Sequence, residues 1–215
     1  MEKIKIYCVT DRASDKLEKL NYQLAGVGRF DFPEKYLNCK IGKNIQNKEE
    51  NYSELTFHYW FWKNKLPSFD QNTWIGFCQK RRFWLKKEKN IESFSDLKEN
   101  ILHEVPKEWE NYDSVICEPL QLGTKLSKLL KRGWKNIIKK PSLLFNHHHI
   151  SIKLQFDLHH GHGVLDRAIS VMHEKDKEEF KSFVNHNTTY NPHIMFISKK
   201  KIMTKWFEDL FDWLF

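Results

Sequence analysis

The sequence predicts an α/β protein, a single domain over residues 1–215 with a mostly parallel central sheet flanked by helices. Three short runs, Lys3 to Thr10 (KIKIYCVT), Trp74 to Cys78 (WIGFC) and Tyr112 to Cys117 (YDSVIC), are rich in β-forming residues. They read as buried strands, the first a central one covered on both faces. Segments with apolar residues at spacings of three and four lie between them, the pattern of intervening helices. A length of 215 residues fits one substantial core, whereas two compact domains would both be undersized.

Taken in order, Lys3 to Thr10 is the first strand. Ser14 or Asp15 then caps a helix carrying Leu17, Leu20 and Leu24, which Gly26-Val27-Gly28 interrupts. Strand, polar turn and helix open many nucleotide-binding units, although no GxGxxG follows the strand here. Asn51 with Glu54 suggests a capping box for a helix bearing Tyr52, Leu55, Tyr59 and Trp62 on one flank and Phe57, Trp60 and Phe61 on the other. A helix apolar around most of its circumference is expected between layers, its aromatics serving as core. Trp74 to Cys78 is the next strand, broken by Gln79-Lys80-Arg81-Arg82. Ser95 caps a helix through Leu97, Ile101, Leu102 and Val105 that Pro106 stops, and Tyr112 to Cys117 is a third buried strand. Thr124 to Trp134 and Asp166 to Phe183 read as helices, Ile150 to Phe156 and Ile194 to Ser198 as short strands. The last segment, about 203–215, is an amphipathic helix. Its Glu208, Asp209 and Asp212 argue against anionic lipid and for packing on the domain's own core. The chain stops on Phe215 with no polar tail, as a shortened product would.

Composition narrows the partners. With 36 Lys+Arg against 28 Asp+Glu the formal charge is +8, which favours phosphates, nucleic acid or anionic headgroups. The lysines fall in short scattered runs with no arginine-rich tail or DNA-binding helix pattern, so no specific nucleic acid is expected. No apolar leader follows a basic start and no stretch approaches the ~20 apolar residues of a membrane span, which implies a cytoplasmic protein. Cys8, Cys39, Cys78 and Cys117 show no CxxC spacing and read as buried thiols. The sequons at Asn51 and Asn187 carry no weight without a secretion signal. GxSxG, Walker A and protein-kinase motifs are all missing.

Two clusters have the residue types for chemistry. Lys80, Arg81 and Arg82 follow a buried strand, and open α/β sheets bind ligands at that edge, so the arginines are placed to meet an anion. The alternative is a solvated loop, or ion pairs with Glu88 or Asp96. Histidines gather at His147-His148-His149 and in the run Phe156-Asp157-Leu158-His159-His160-Gly161-His162-Gly163. On an extended strand Asp157 and His159 would point to one side, as a divalent-metal pair would. The other reading is a polar loop that binds sugar or phosphate, and no HExxH pattern is present.

Several segments also resemble a bacterial domain family, formally of unknown function (domain of unknown function 4422), associated with capsule and O-antigen synthesis and similar to type-A glycosyltransferases. They are Lys5-Ile6-Tyr7, Gly42-Lys43-Asn44-Ile45, Glu54-Leu55-Thr56 with Tyr59-Trp60-Phe61-Trp62-Lys63-Asn64, Gly76-Phe77-Cys78-Gln79-Lys80-Arg81-Arg82, and Asn191-Pro192-His193-Ile194-Met195-Phe196-Ile197. The Glu54 to Asn64 helix is the most specific. Lys43 departs from the family's usual Asp, and Gln79-Lys80 from its His-Tyr.

The resemblance implies a type-A glycosyltransferase-like fold with a Rossmann-like nucleotide-binding half. It implies transfer of a sugar from a nucleotide-sugar, first of all a UDP-sugar, to a saccharide or lipid-linked saccharide acceptor in cell-surface polysaccharide synthesis, with peripheral contact at the inner face of the membrane. On that basis Arg81 and Arg82 are assigned to the departing diphosphate, and Asp157, with Asp166 and Glu118 behind it, to acceptor activation. Thr10, Asn44, Glu54, Gln79 and Lys80 are assigned to the donor, and His159, His160, His162, Asp166 and Asn191 to the acceptor or a phosphate. A divalent cation, Mn or Mg, would fall to Asp157 and His159, since the family's Asp-x-Asp motif does not occur. The competing expectation is a catalytically drifted module of the same fold that binds glycan or a partner.

Overall fold

The computed structural model describes residues 3–215. In chain order come β1 (Lys5–Thr10), α1 (Asp15–Glu18), β2 (Gln23–Gly26), β3 (Leu37–Asn38), α2 (Glu49–Tyr52), α3 (Leu55–Asn64), β4 (Trp74–Gln79), α4 (Phe94–Asn100) and β5 (Ser114–Ile116). Next are β6 (Leu120–Gln121), α5 (Leu126–Arg132), α6 (Trp134–Lys139), α7 (Ile152–His160), α8 (Val164–Ser170), α9 (Glu174–His186) and β7 (Thr189–Tyr190). β8 (Phe196–Lys199) and α10 (Lys200–Leu214) close the chain. Where the sequence suggests one core, the elements form two compact units. Cys117–His193 make one, inserted between the chain up to Ile116 and the returning Ile194–Phe215, which make the other.

The larger unit is an α/β layer structure around a mostly parallel sheet of order β3-β2-β1-β4-β8-β5. β3, β2, β1 and β4 pair in parallel, with Tyr7 opposite Phe77 and Cys8 opposite Cys78; β8 runs against both β4 and β5. The aromatic density of the sequence goes into one cluster. Phe57 and Phe61 of α3 and Phe207 and Phe211 of α10 close on Tyr7 and Phe77 of the sheet, all essentially without solvent contact. Tyr7 meets Phe61 edge-on at 4.8 Å between centroids, Phe61 meets Phe77 at 5.2 Å, and Trp62 stacks on Phe211 at 5.6 Å. Each such ring contributes about 1.5–3 kcal/mol by leaving water, and edge contacts add to that. α10 therefore packs on the domain's own core. Cys8, Cys39 and Cys78 are buried cysteines and Cys117 is half-buried, none of the four in a disulfide.

Several elements differ from expectation. The helix anticipated through Leu24 stops after one turn at Glu18; Asn21 turns the chain at φ 59°, and Leu24 lies in β2 opposite Cys8. Asn tolerates that left-handed conformation, and the apolar run beyond it gains more by pairing with β1 than by continuing a helix. The Asn51–Glu54 capping box does not form, because Ser53 takes a φ of 44° and ends α2, leaving Glu54 to start α3. Ser93, not Ser95, caps α4 by accepting from the Asp96 amide at 3.1 Å. β5 is an edge strand with Ile116 exposed, not a buried strand. The helix expected over Asp166 to Phe183 is two, α8 and α9, parted at Val171–His173.

The inserted unit is helical, with the small ribbon β6–β7. Ile150 to Phe156, expected as a strand, is instead the start of α7. Ser151 caps it by accepting from the Leu154 amide at 3.2 Å, and Leu154 and Leu158, one turn apart, join Leu122, Leu129, Leu143 and Ile150 in the core. The β-branched Ile150 and Ile152 suggested a strand, while the four-residue spacing of the leucines fits the helix that forms.

Candidate functional site

The carboxyl ends of β1 and β4 lie side by side, so the loops leaving them share one edge of the sheet. Beyond β4 the chain makes a tight turn, Gln79-Lys80-Arg81-Arg82, closed by two backbone hydrogen bonds between Gln79 and Arg82, of 3.1 and 3.2 Å. Beyond β1, the Thr10 hydroxyl donates to the Arg12 carbonyl at 2.7 Å and accepts from the Arg12 amide at 3.2 Å, which holds the Thr10-Asp11-Arg12 turn. The Ser14 amide donates to the Tyr36 hydroxyl at 3.0 Å, and the Arg12 guanidinium lies over the Phe30 ring, 5.3 Å from its centroid. A cavity of about 480 Å³ opens here, lined among others by Thr10, Arg12, Ser14, Lys16, Lys80 and Arg81.

Two carboxylates face these cations. Lys80 is ion-paired with Asp11, and this contact holds the Asp11 carboxyl below its usual range. Glu54, at the start of α3, accepts from the Gln79 side-chain amide at 2.6 Å, and Gln79 in turn accepts from Arg82 at 3.2 Å. Burial raises the proton affinity of Glu54, and the Gln79 bond only partly offsets it, with Asp11 adding to the rise. One turn along α3, His58 is fully buried with its ring 4.4 Å from that of Phe77, and its Nδ1 has no partner. Burial lowers its pKa to about 3, so the imidazole is neutral.

Of the residues singled out from sequence, Thr10, Lys80 and Arg81 line this cavity, and Glu54, Gln79 and Arg82 form a hydrogen-bonded chain at the strand end. Asn44 serves its own loop, donating to the carbonyls of Lys40 and Gly42 at 3.1 and 2.8 Å and accepting from the Gln46 amide. Lys43 is held through its backbone: Asn64 accepts from its amide at 3.1 Å and donates to its carbonyl at 2.8 Å. Arg81 and Arg82 pair with neither Glu88 nor Asp96; Asp96 is taken by Lys89 at 2.5 Å.

Asp157, His159, His160, His162, Asp166 and Asn191 all belong to the inserted unit. There Asp157 is buried, with Oδ2 3.4 Å from both Lys153 Nζ and His162 Nδ1, and Lys153 reaches Asp166 at 2.6 Å. His159 Nδ1 lies 2.8 Å from the Gln155 carbonyl and its Nε2 2.7 Å from Lys128 Nζ. His160 packs on Phe156 at 4.4 Å, Asn191 accepts from the His193 amide at 3.1 Å, and Glu118 is exposed. On a helix, residues two apart point about 200° from each other, so α7 separates Asp157 from His159. Among the described residues no three His, Cys, Asp or Glu side chains gather as a metal site. With Asp157 and His159 on different sides of α7, the side chains present do not fit the cation the resemblance implied. Asp11 and Arg12 were missed from sequence, although the rule that singled out Lys80 to Arg82 applies equally to the residues just past β1.

The family model of DUF4422, described as a domain of unknown function, matches residues 5–215. The chain belongs to the DUF4422 family. Among solved structures, this DUF4422 chain is similar to the apo structure of WbbM, a bifunctional glycosyltransferase, with a TM-score of 0.57 at 18% identity. The likeness takes in 99% of the DUF4422 chain and 36% of the WbbM chain, so the chain spans well under half the length of that relative. At such identity it shows the fold, which is glycosyltransferase-like. No curated protein matches the chain.

Proposed function

We propose that this DUF4422 domain transfers a sugar from a nucleotide-sugar, a UDP-sugar first of all, to a saccharide or lipid-linked saccharide acceptor in capsule or O-antigen synthesis. The observation that carries this reading is the cavity at the carboxyl ends of β1 and β4, whose lining joins the cations Arg12, Lys16, Lys80 and Arg81 to the apolar Leu17, Leu20, Phe83, Phe94 and Leu97. Ligands of open α/β sheets sit at that edge. Guanidinium groups hold phosphate oxygens bidentately, and a fixed positive charge stabilises the negative charge that develops on a departing diphosphate. The WbbM likeness supports a sugar donor and acceptor as the substrate class. An inverting transfer also needs a base for the acceptor hydroxyl. Of the carboxylates here, Asp11 is tied to Lys80 with lowered proton affinity, whereas burial raises that of Glu54, the direction a general base needs. Glu54 is therefore assigned that role in preference to Asp157, which is buried against Lys153 and His162.

Thermal shifts with UDP, GDP, CMP and UDP-sugars, each with manganese and with chelator, test the site. A nucleotide at ~100 times its dissociation constant adds about 2.7 kcal/mol of stability. Arg81→Ala and Arg82→Ala should each weaken the bound nucleotide about tenfold or more, and two variants with wild-type affinity and turnover would remove the clamp. Glu54→Gln should lower turnover about 10²-fold or more with donor affinity kept; full activity would return the base to the other carboxylates. A second reading, a binding module without transfer, is favoured by the engagement of Gln79 and Lys80 with Glu54 and Asp11. Donor hydrolysis in the absence of acceptor separates the two, since a binding module shows none.

A further inference from the structure

Between Glu118 and Asp157 the chain carries no acidic residue, while the stretch from Lys125 to Lys140 holds seven cations, six lysines and Arg132. That stretch is α5, Gly133 and α6. Its inward face is set by Leu129, fully buried, with Ile137 packed against the same core. A soluble helix pair of this kind normally turns a polar face outward. Here the flank beside the buried face carries Leu126 and Leu130 one turn apart on α5, and Trp134 and Ile138 one turn apart on α6, each roughly 60–100° around its helix from the core residue. Leu130 and Trp134 are each 52% exposed, Ile138 is 70%, and Phe145, just beyond, is 85%. Apolar side chains thus stand in water along the flank of the buried face, interleaved with lysines. Among the described residues none of the seven cations has an ion-pair partner. Lys128 contacts His159, and Arg132 donates to the Leu158 carbonyl at 3.1 Å.

We infer that α5 and α6 form an interfacial anchor that lays this unit on an anionic lipid surface. Leu130, Trp134, Ile138 and Phe145 would enter the headgroup boundary, and the lysines would meet lipid phosphates. Unpaired charge calls for a polyanion, and the exposed apolar residues select which one. A nucleic-acid backbone offers phosphates but no medium for leucine, isoleucine and phenylalanine, whereas a bilayer interface offers both. Tryptophan is itself suited to the boundary, apolar in body and polar at its ring nitrogen. No helix among the described residues is long and apolar enough to cross a membrane, so the contact is peripheral. C-terminal α10, considered from sequence for such a role, buries its apolar face on the sheet unit instead. The inference does not depend on the proposed transfer reaction.

The test is cosedimentation of the 215-residue chain with vesicles of phosphatidylcholine alone and of phosphatidylcholine mixed with phosphatidylglycerol. The two variants are Trp134→Ser/Ile138→Ser and Lys131→Glu/Lys135→Glu/Lys139→Glu. All five positions are exposed, and unchanged thermal melts would confirm that both variants fold. Binding should require phosphatidylglycerol and weaken with salt. Each cation near such a surface is worth roughly fivefold in affinity, so reversing three should cost about 100-fold or more. The paired apolar truncation should cost about tenfold or more. Failure of the wild-type chain to bind phosphatidylglycerol vesicles overturns the inference, as does equal binding to neutral vesicles. So does retained binding by the apolar variant alongside loss in the charge variant, which would mark a surface for soluble polyanions, with a short DNA duplex as the competitor to show it.

Discussion

Asp11 and Glu54 are carboxylates of the same sheet edge pushed in opposite directions, one by an ammonium partner and the other by burial. Their roles in the proposed chemistry follow from that contrast, which residue identity alone does not disclose. His58 shows the same point at a core position. In the unfolded chain it takes up a proton near its ordinary 6.5, whereas in the fold burial holds that back until about 3. The unfolded state therefore binds the extra proton throughout this window. The contribution of His58 is intact above pH 6.5 and is lost as pH falls toward 3, by about 1.4 kcal/mol per pH unit. Urea melts of wild type and His58→Leu at pH 7, 6, 5 and 4 should show the variant gaining relative stability as pH drops. A constant difference would mean that the imidazole is not kept neutral by burial.

At the scale of elements, β1, β4 and β8 approach closely at Gly76, on the sheet face opposite the aromatic cluster. A Cβ placed on Gly76 would lie 2.7 Å from Ile197 Cγ1 and 3.3 Å from Ile6 Cγ1, side chains packed inside the sheet unit. Gly76→Ala should therefore destabilise by about 1–3 kcal/mol, read as a lower denaturant midpoint at unchanged slope; a neutral result would mean that β8 can move aside. Runs such as Lys3 to Thr10 and Trp74 to Cys78 were legible as strands because buried parallel strands need apolar side chains on both faces. The final helix was legible from its wide apolar stripe. Ile150 to Phe156 misled because two β-branched residues outweighed the spacing of Leu154 and Leu158, and Tyr112 to Cys117 because an edge strand and a central one can share a short apolar stretch such as Val115-Ile116-Cys117.

At the scale of the molecule, the larger unit is organised by the aromatic cluster on the sheet and the inserted unit by its own leucine core. Leu158→Ala should cost about 2–5 kcal/mol, and its effect on amide exchange should be confined to residues 117–193, leaving β1 and β4 protected. Equal acceleration in those strands would show that the two units open together. The same division bears on function. The donor-binding residues proposed here lie in the sheet unit, the lipid-facing helices in the inserted one, and the histidine-rich run is part of the latter's helical structure.

The sequence by itself determined the α/β class, the central strands, the buried thiols, and the cationic strand end with Lys80, Arg81 and Arg82. Those properties depend on local apolar patterning and on where a buried strand must give way to polar residues. Only the tertiary structure decided that Glu54 meets Gln79, that Asp11 neutralises Lys80, and that Leu130, Trp134 and Ile138 are left in water. Each depends on which surfaces remain uncovered once distant segments have packed, and no local pattern encodes that.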